Sequence, residues 1–311
     1  MTESHNHSHP HEHTHTITPG STTQGRLLLT IAVTVGILAL EIVGGILANS
    51  LALLSDAGHV FTDLAALILS LWALRMAARP ANSRKTFGFH RFEILSALVN
   101  GVTLVVISLF IFVEAYRRLR DPQPVLGLEV FVIAILGLMG NGVGIFLLRG
   151  AGDNLNLRGA MLHLVGDAVS SVGVILSGIV IMLTGWWIID PIVSIGIGLI
   201  IIFGAIRLID ESVDVLLEGT PRHIDLEQVV ASIVAVPGVC SVHDVHIWCV
   251  TPQLCTMSGH VILGPDADVD ARDVLAQVNH MLTHNYGLTH TTIQIEHEHC
   301  GKDDVAWLAA K

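Results

Sequence analysis

The sequence predicts an all-α membrane domain of six spanning helices, followed by a small cytoplasmic α+β domain. Of the 311 residues, 51% are hydrophobic, only 14% are charged, and the mean hydropathy is +0.65. Soluble domains carry about a quarter charged residues. Six apolar runs also reach the length of about 20 residues that a membrane helix needs at about 1.5 Å rise per residue.

The six apolar runs lie within residues 26–208, which we assign to the membrane domain. An even number of spans places both chain ends on the same side of the membrane. The runs are Leu27–Ala48, Leu51–Ala78, Ile94–Tyr116, Val130–Leu148, Leu157–Leu183 and Trp187–Leu208.

Residues 1–25 are predicted to be a disordered, His-rich tail. Histidine recurs at every second position from His5 to His15 without an apolar residue among them, so the segment cannot offset the entropy of folding by apolar burial. The H-E-x-x-H pattern inside this repeat resembles a metalloprotease motif, but that motif requires a helix. We interpret it as accidental.

Residues 209–300 are predicted to form the cytoplasmic domain, and residues 301–311 a C-terminal tail. Apolar periodicity in this region indicates the order helix, strand, strand, helix, strand. The four cysteines lie here, and in the cytosol they are expected to be reduced thiols. The predicted elements are Val229–Val234, Val239–Val250, Cys255–Leu263, Val269–Leu282 and Thr291–Glu298.

The basic residues near the helix ends predict the orientation in the membrane, because Lys and Arg concentrate on the cytoplasmic side. Nine lie on the N-terminal side, and three (Arg117, Arg118 and Arg120) lie on the other. We therefore expect cytoplasmic N- and C-termini. The absence of a secretory signal and the compact size favour a prokaryotic inner membrane, and the net charge of −11 argues against nucleic acid as a partner.

The second and fifth runs each contain a histidine followed four positions later by an aspartate. These residues are His59 and Asp63, and His163 and Asp167. Residues four apart lie on one helix face, and ionisable residues inside a membrane usually mark ion or proton pathways. Two imidazoles and two carboxylates form a set suited to tetrahedral Zn²⁺. The alternative is a structural polar network between the helices.

Several further motifs surround these residues in a specific order and spacing from Arg26 to Cys300. They are S-L-A-L-L-S-D-A-G-H-V-F-T-D (Ser50–Asp63), F-G-F-H-R-F-E (Phe87–Glu93), L-H-L-V-G-D (Leu162–Asp167), W-W-I-I-D-P (Trp186–Pro191), L-L-E-G-T-P (Leu216–Pro221), V-H-D-V-H-I-W (Val242–Trp248) and T-I-Q-I-E (Thr292–Glu296). Together they resemble the cation diffusion facilitator family, and within it the zinc transporters of the bacterial zinc and cadmium efflux type.

The resemblance implies a homodimer of six-helix protomers, each with a cytoplasmic domain of ferredoxin-like, metallochaperone-like shape. It implies export of Zn²⁺ in exchange for protons, with the transport site at His59, Asp63, His163 and Asp167. The chemistry agrees, because metal binding requires neutral imidazole and ionised carboxylate and so releases protons. An ordinary histidine titrates near ~6.5.

The resemblance also implies a possible metal site in the cytoplasmic domain, at His243, His260 and Glu296. Strand alternation is expected to separate His243 from His246 onto opposite faces. Solvent-facing histidines are the alternative. In the loop between the second and third runs the match to a family metal site is poor, because Arg84 and Lys85 would repel a cation.

Three other interpretations compete with a zinc transporter. A membrane zinc hydrolase is disfavoured because catalytic zinc keeps an open position and a nearby base, so we expect a protein that is not an enzyme. A membrane metal sensor without transport would not need ligands inside the membrane. A transporter of Cd²⁺, Co²⁺ or Ni²⁺ remains open, because ligand type alone does not exclude these ions.

Overall fold

The computed structural model describes residues 21–148, 155–251, 254–264 and 269–297. Six long helices come first, and the α+β region follows them. The long helices are α1 (Ser21–Ala48), α2 (Leu51–Ala77), α3 (Phe92–Arg120), α4 (Gly127–Leu148), α5 (Leu155–Thr184) and α6 (Ile189–Leu216). The α+β region contains α7 (Leu226–Val234), β1 (Val239–Thr251), β2 (Leu254–Leu263), α8 (Ala271–Tyr286) and β3 (His290–Glu296).

The predicted order of helices and strands is confirmed, and the differences are at the boundaries. Helix α1 begins at Ser21, inside the predicted tail, and α6 continues to Leu216, past the predicted end at Leu208. Within the described residues, spans long and apolar enough to cross a membrane occur in five helices: α1, α3, α4, α5 and α6. Helix α2 has 27 residues and carries Asp56, His59 and Asp63.

The chain forms two compact units. Unit one comprises residues 1–57 and 122–193, and unit two comprises residues 58–121 and 194–311. Unit one therefore contains α1, the first part of α2, α4, α5 and the first residues of α6. Unit two contains the remainder of α2 and α6, together with α3 and the α+β region.

In unit one, glycines let α4 approach its neighbours closely. A Cβ atom added at Gly44 of α1 would overlap the side chain of Ile133 in α4, and one added at Gly140 of α4 would overlap the side chain of Ile37 in α1. These close contacts join α1 to α4. A Cβ added at Gly178 of α5 would lie 2.9 Å from the backbone nitrogen of Phe131 in α4. Small residues commonly bring membrane helices together in this way, because lipid provides no hydrophobic force between helices.

The first turn of α2 is anchored by Asp190, the second residue of α6. Its fully buried carboxylate accepts hydrogen bonds from Ser50 Oγ at 2.5 Å and from the backbone N–H of Leu51 at 2.7 Å. Ser50 Oγ in turn accepts from the backbone N–H of Leu53 at 3.2 Å. The first N–H groups of a helix have no partner within the helix and carry a partial positive charge. Asp190 therefore satisfies the start of α2 and holds it to the start of α6.

In unit two, the α+β region is built on a three-stranded sheet in the order β1-β2-β3. Strand β1 pairs with β2 in antiparallel orientation, and β2 pairs with β3 in parallel orientation. Apolar side chains of the sheet pack with those of both helices in a buried core. Its members include Val229, Ile233, Val245, Ile247, Met257, Val261, Val274, Val278 and Leu282.

Cys249 and Cys255 form a disulfide, which contradicts the expectation of reduced thiols for these two residues. They occupy directly opposed positions on β1 and β2, and both side chains are buried in the core. The antiparallel pairing brings the sulfurs together because opposed residues in such a ladder have close Cβ atoms. Cys240 is an exposed free thiol.

We expect Asp190→Ala to destabilise the protein. The substitution removes the acceptor of the buried N–H groups at the start of α2, and unpaired buried groups of this kind cost about 2–4 kcal/mol in total. Thermal unfolding of the detergent-solubilised protein measures the effect. Ser50→Ala serves as the matched variant, with a smaller loss of about 1 kcal/mol, because Asp190 still accepts from Leu51. An unfolding midpoint of Asp190→Ala equal to that of the wild type would contradict this role.

Candidate metal sites

The His59–Asp63 pair lies on one face of α2. His59 Nε2 is 3.6 Å from Asp63 Oδ2, and both side chains are about three-quarters buried. The i, i+4 spacing on a helix produces this proximity. The sequence-predicted pair therefore presents an imidazole and a carboxylate together, as a metal ligand pair must.

In α5, Asp167 is buried, with 3% of its surface exposed. Ser171 lies one turn further along, and its Oγ donates to the backbone oxygen of Asp167 at 2.9 Å. The same Oγ lies 3.4 Å from Oδ2 of Asp56 in α2. Within unit one, the beginning of α2 is therefore adjacent to α5 one turn beyond Asp167. His163 lies in α5, but its side chain is outside the described part of the structure.

The cytoplasmic candidates His243, His260 and Glu296 form one cluster, whose ligand atoms all lie within 4.8 Å of one another. The two carboxylate oxygens of Glu296 lie 3.1 Å from His243 Nε2 and 2.7 Å from His260 Nδ1. Gln294 Nε2 also donates to Glu296 Oε1, at 2.7 Å. His243 and Glu296 are buried, and a quarter of the His260 side chain is exposed. A cation could therefore reach the cluster from the His260 side.

Strand register assembles this cluster. His243 of β1 is directly opposed to His260 of β2, and Gln294 of β3 is paired with His260 on the other side. Opposed residues and residues two apart share a sheet face, so Glu296 lies on the same face as both histidines. The other face of the sheet carries the residues that enter the apolar core, such as Val261.

The expectation that His243 and His246 lie on opposite faces is wrong. The ladder has an irregularity between them, and Asp244 within it has a φ of 51°. An extra residue in a bulge changes the alternation of side chains. His246 is paired with Ser258, two residues from His260, and so shares the face of the cluster. It remains outside the cluster because its Nε2 lies 3.0 Å from Asp244 Oδ1, and it is half exposed.

Asp244 is a candidate that the sequence reasoning missed. Its Oδ2 lies 3.9 Å from Nε2 of His260, whereas the other ring nitrogen of His260, Nδ1, contacts Glu296. The left-handed backbone at Asp244 directs it there, and Asp is among the few residues that tolerate this conformation. The H-D-V-H motif contained the residue, but alternation alone gave no sign of the bulge.

The loop between α2 and α3 carries two basic side chains. Arg84 and Lys85 are exposed there, and the Lys85 ammonium lies 4.8 Å from the centre of the Phe89 ring. Arg91 pairs with Glu218 at 2.8 Å, which joins the end of this loop to the segment after α6 within unit two. The His-rich tail lies outside the described residues.

We expect the cytoplasmic cluster to bind one Zn²⁺. The atoms that face one another here, one imidazole nitrogen of each histidine and the two carboxylate oxygens of Glu296, are of the kinds that zinc prefers as ligands. His260→Ala should weaken zinc binding to this site by at least about tenfold, as measured by calorimetric titration of the full chain in detergent. His246→Ala, which alters an exposed histidine of the same strand, should leave the titration unchanged. Equal titrations of His260→Ala and the wild type would exclude the site.

Comparison with known proteins relates both parts of the chain to metal transport. Residues 27–217 match the family described as "Cation efflux transmembrane domain", and residues 221–298 match "Cation efflux protein, cytoplasmic domain".

Two relatives align with nearly the whole chain. The "Zinc transporter ZitB" of Escherichia coli is 42% identical over 92% of this chain and 91% of its own length. The "Cadmium, cobalt and zinc/H(+)-K(+) antiporter" of Bacillus subtilis is 39% identical over 88% of both chains. Among solved structures, the metal-bound C-terminal domain of the CzcD transporter of Cupriavidus metallidurans is 39% identical over 24% of this chain and 99% of that one, with a TM-score of 0.22.

Proposed function

This chain belongs to the cation efflux family, and on that premise we propose that it is a transporter that exports Zn²⁺ from the cytoplasm in exchange for protons. The observation that carries the proposal is the ionisable pair of α2, His59 and Asp63, with its ligand atoms 3.6 Å apart inside a long apolar helix. The relatives support it, since one is named a zinc transporter and another a cadmium, cobalt and zinc/H(+)-K(+) antiporter.

We assign the transport site to His59, Asp63, His163 and Asp167. The contact between Asp56 and Ser171 supports this assignment. Helices α2 and α5 are separated by two intervening spans, so they cross the membrane in opposite directions. One turn along α2 from Asp56 then corresponds to one turn back along α5 from Ser171. Along each helix, the histidine–aspartate pair begins about one turn from the Asp56–Ser171 contact, at His59 in α2 and at Asp167 in α5.

Such a set offers two nitrogens and two oxygens to a cation. Zn²⁺ accepts this combination in tetrahedral geometry, whereas Ca²⁺ and Mg²⁺ favour more oxygens and more ligands. Cd²⁺ and Co²⁺ are accepted by similar donors, and the Bacillus subtilis relative is named for all three ions. We therefore infer Zn²⁺ as the main substrate and Cd²⁺ and Co²⁺ as secondary ones.

Proton exchange follows from the ligands. A histidine must lose its proton before it binds a metal, and an ordinary histidine titrates near ~6.5. Arrival of Zn²⁺ from the cytoplasm releases these protons, and their return from the opposite side displaces the metal. The net cycle moves zinc outward and protons inward, with no chemical change in either, and so requires no enzymatic activity.

We further propose that the protein is an inner-membrane homodimer with both termini in the cytoplasm. The excess of basic residues on the N-terminal side supports the orientation. The match of residues 221–298 to the cytoplasmic domain of cation efflux proteins supports a cytoplasmic location of that region. In this arrangement the His243, His260 and Glu296 cluster samples cytoplasmic zinc, and we infer that it regulates transport.

We expect Asp167→Ala to lower zinc flux by at least about 100-fold, because the loss of a metal ligand exceeds the 10–100-fold effect of outer-shell changes. Zinc uptake into proteoliposomes under an imposed proton gradient measures it. His163→Ala should behave in the same way. The control is Glu129→Ala, which alters an exposed acid at the start of α4. Undiminished flux in folded Asp167→Ala protein would refute the assigned site, and absent flux in folded wild type would refute transport.

A further inference from the structure

Glu41 of α1 is a buried acid that the transport site does not use. Only 1% of its surface is exposed, and its Oε2 makes no hydrogen bond within the described residues. It lies seven residues before the end of α1, which corresponds to about 10 Å along the helix. The other oxygen faces α4, where a Cβ atom added at Gly137 would lie 2.8 Å from Oε1. The absence of a side chain at Gly137 therefore makes room for the carboxyl group.

Among the described residues, the charged groups that act on Glu41 are two acids, Asp56 of α2 and Asp167 of α5. Asp56 is itself buried, and its Oδ1 has no hydrogen-bond partner in the part of the chain that the structure describes. Helix α4 faces Glu41 with Gly137. The acid of α4, Glu129, lies in the first turn of that helix and is exposed. Asp190, a further buried acid of unit one, is bound to the start of α2.

Glu41 and Asp56 have no basic side chain beside them among the described side chains of unit one, which include no Lys, Arg or His. A carboxylate buried without a partner costs several kcal/mol, on the order of the effective desolvation of an ion in a protein. Neighbouring carboxylates also cannot all ionise. Glu41 must therefore hold a proton or a cation for most of the time.

The geometry favours the proton. Among the described residues, Glu41 and Asp56 belong to no group of three or more ligand atoms within 4.8 Å of one another. A divalent metal would have too few ligands here, since Zn²⁺ takes four and Ca²⁺ six or more. A carboxyl group needs no such set to carry a proton.

We propose that Glu41 carries a proton that is exchanged for the transported cation. This inference rests on the proposed transport function and names a carrier of its counter-ion. When Zn²⁺ binds at the site that contains Asp167, its positive charge favours the ionised form of Glu41, and the O–H bond of the carboxyl group releases H⁺. When the metal leaves, the carboxylate takes up H⁺ again from the side that received the metal. One proton is gained and lost per cycle at this residue.

The substitution Glu41→Gln tests the proposal, because glutamine keeps the shape beside Gly137 but cannot exchange a proton. Two assays in proteoliposomes separate the steps. Exchange of isotopic zinc at equal pH and equal zinc on both sides needs no net proton movement, and it should remain within about twofold of wild type. Zinc uptake driven by a proton gradient should fall by about tenfold or more. Glu129→Gln, the exposed control, should retain both activities.

Two outcomes for folded Glu41→Gln protein would overturn the proposal. Undiminished gradient-driven uptake would show that no proton passes through Glu41. Equal loss of zinc exchange and gradient-driven uptake would show that Glu41 supports the cation path instead of coupling it to protons. A folded wild type that exchanges no zinc would instead refute the proposed transport function, so the two failures are distinguishable.

A measurement on the wild type keeps the test valid if Glu41→Gln does not fold. Infrared difference spectroscopy follows the carbonyl stretch of protonated carboxylic acids on addition of zinc. We expect zinc to remove one such band, and the band should shift in protein labelled with ¹³C-glutamate. A spectrum without a zinc-sensitive, glutamate-derived carbonyl band would overturn the proposal independently of transport.

Discussion

The structure depends on one constraint, the cost of keeping acidic groups inside apolar helices. Each such group costs about 2.5–3.5 kcal/mol at mid-membrane even on the lenient insertion scale, so each must be matched with a partner, a proton or a cation. Asp190 is matched by the start of α2. Asp56 has Ser171 on one oxygen only, and Glu41 has a glycine beside it. Asp190 is thus structurally satisfied, whereas Glu41 Oε2 and Asp56 Oδ1 have no hydrogen-bond partner among the described residues.

The sequence could predict the features that local patterns determine, but not those that depend on contacts between distant parts of the chain. The apolar runs predicted all six long helices, because their length is set by membrane thickness. The repeated H-x-x-x-D spacing predicted the pair on α2, because helical periodicity is local. The role of Asp190 was not predicted, because its partners Ser50 and Leu51 are about 140 residues away in sequence. No local pattern marks such a contact.

In the α+β region the order of elements followed from alternation and turn residues, but the details of the sheet did not. The bulge at Asp244 shifted the face of every later residue of β1, and it placed His246 beside the cluster instead of behind it. The disulfide between Cys249 and Cys255 depends on the same register. A single extra residue in a strand is energetically small, yet it changes which side chains meet, and composition does not reveal it.

The close fit of Glu41 against Gly137 has an evolutionary consequence. A methyl group at position 137 would occupy the space of the Glu41 carboxyl group, so the two positions cannot vary independently. Among related chains, glycine at this position of α4 should accompany glutamate in α1. Chains with a larger residue there should carry a shorter side chain opposite it. The pair would then appear as correlated columns in an alignment, even though 96 positions separate Glu41 from Gly137 in the sequence.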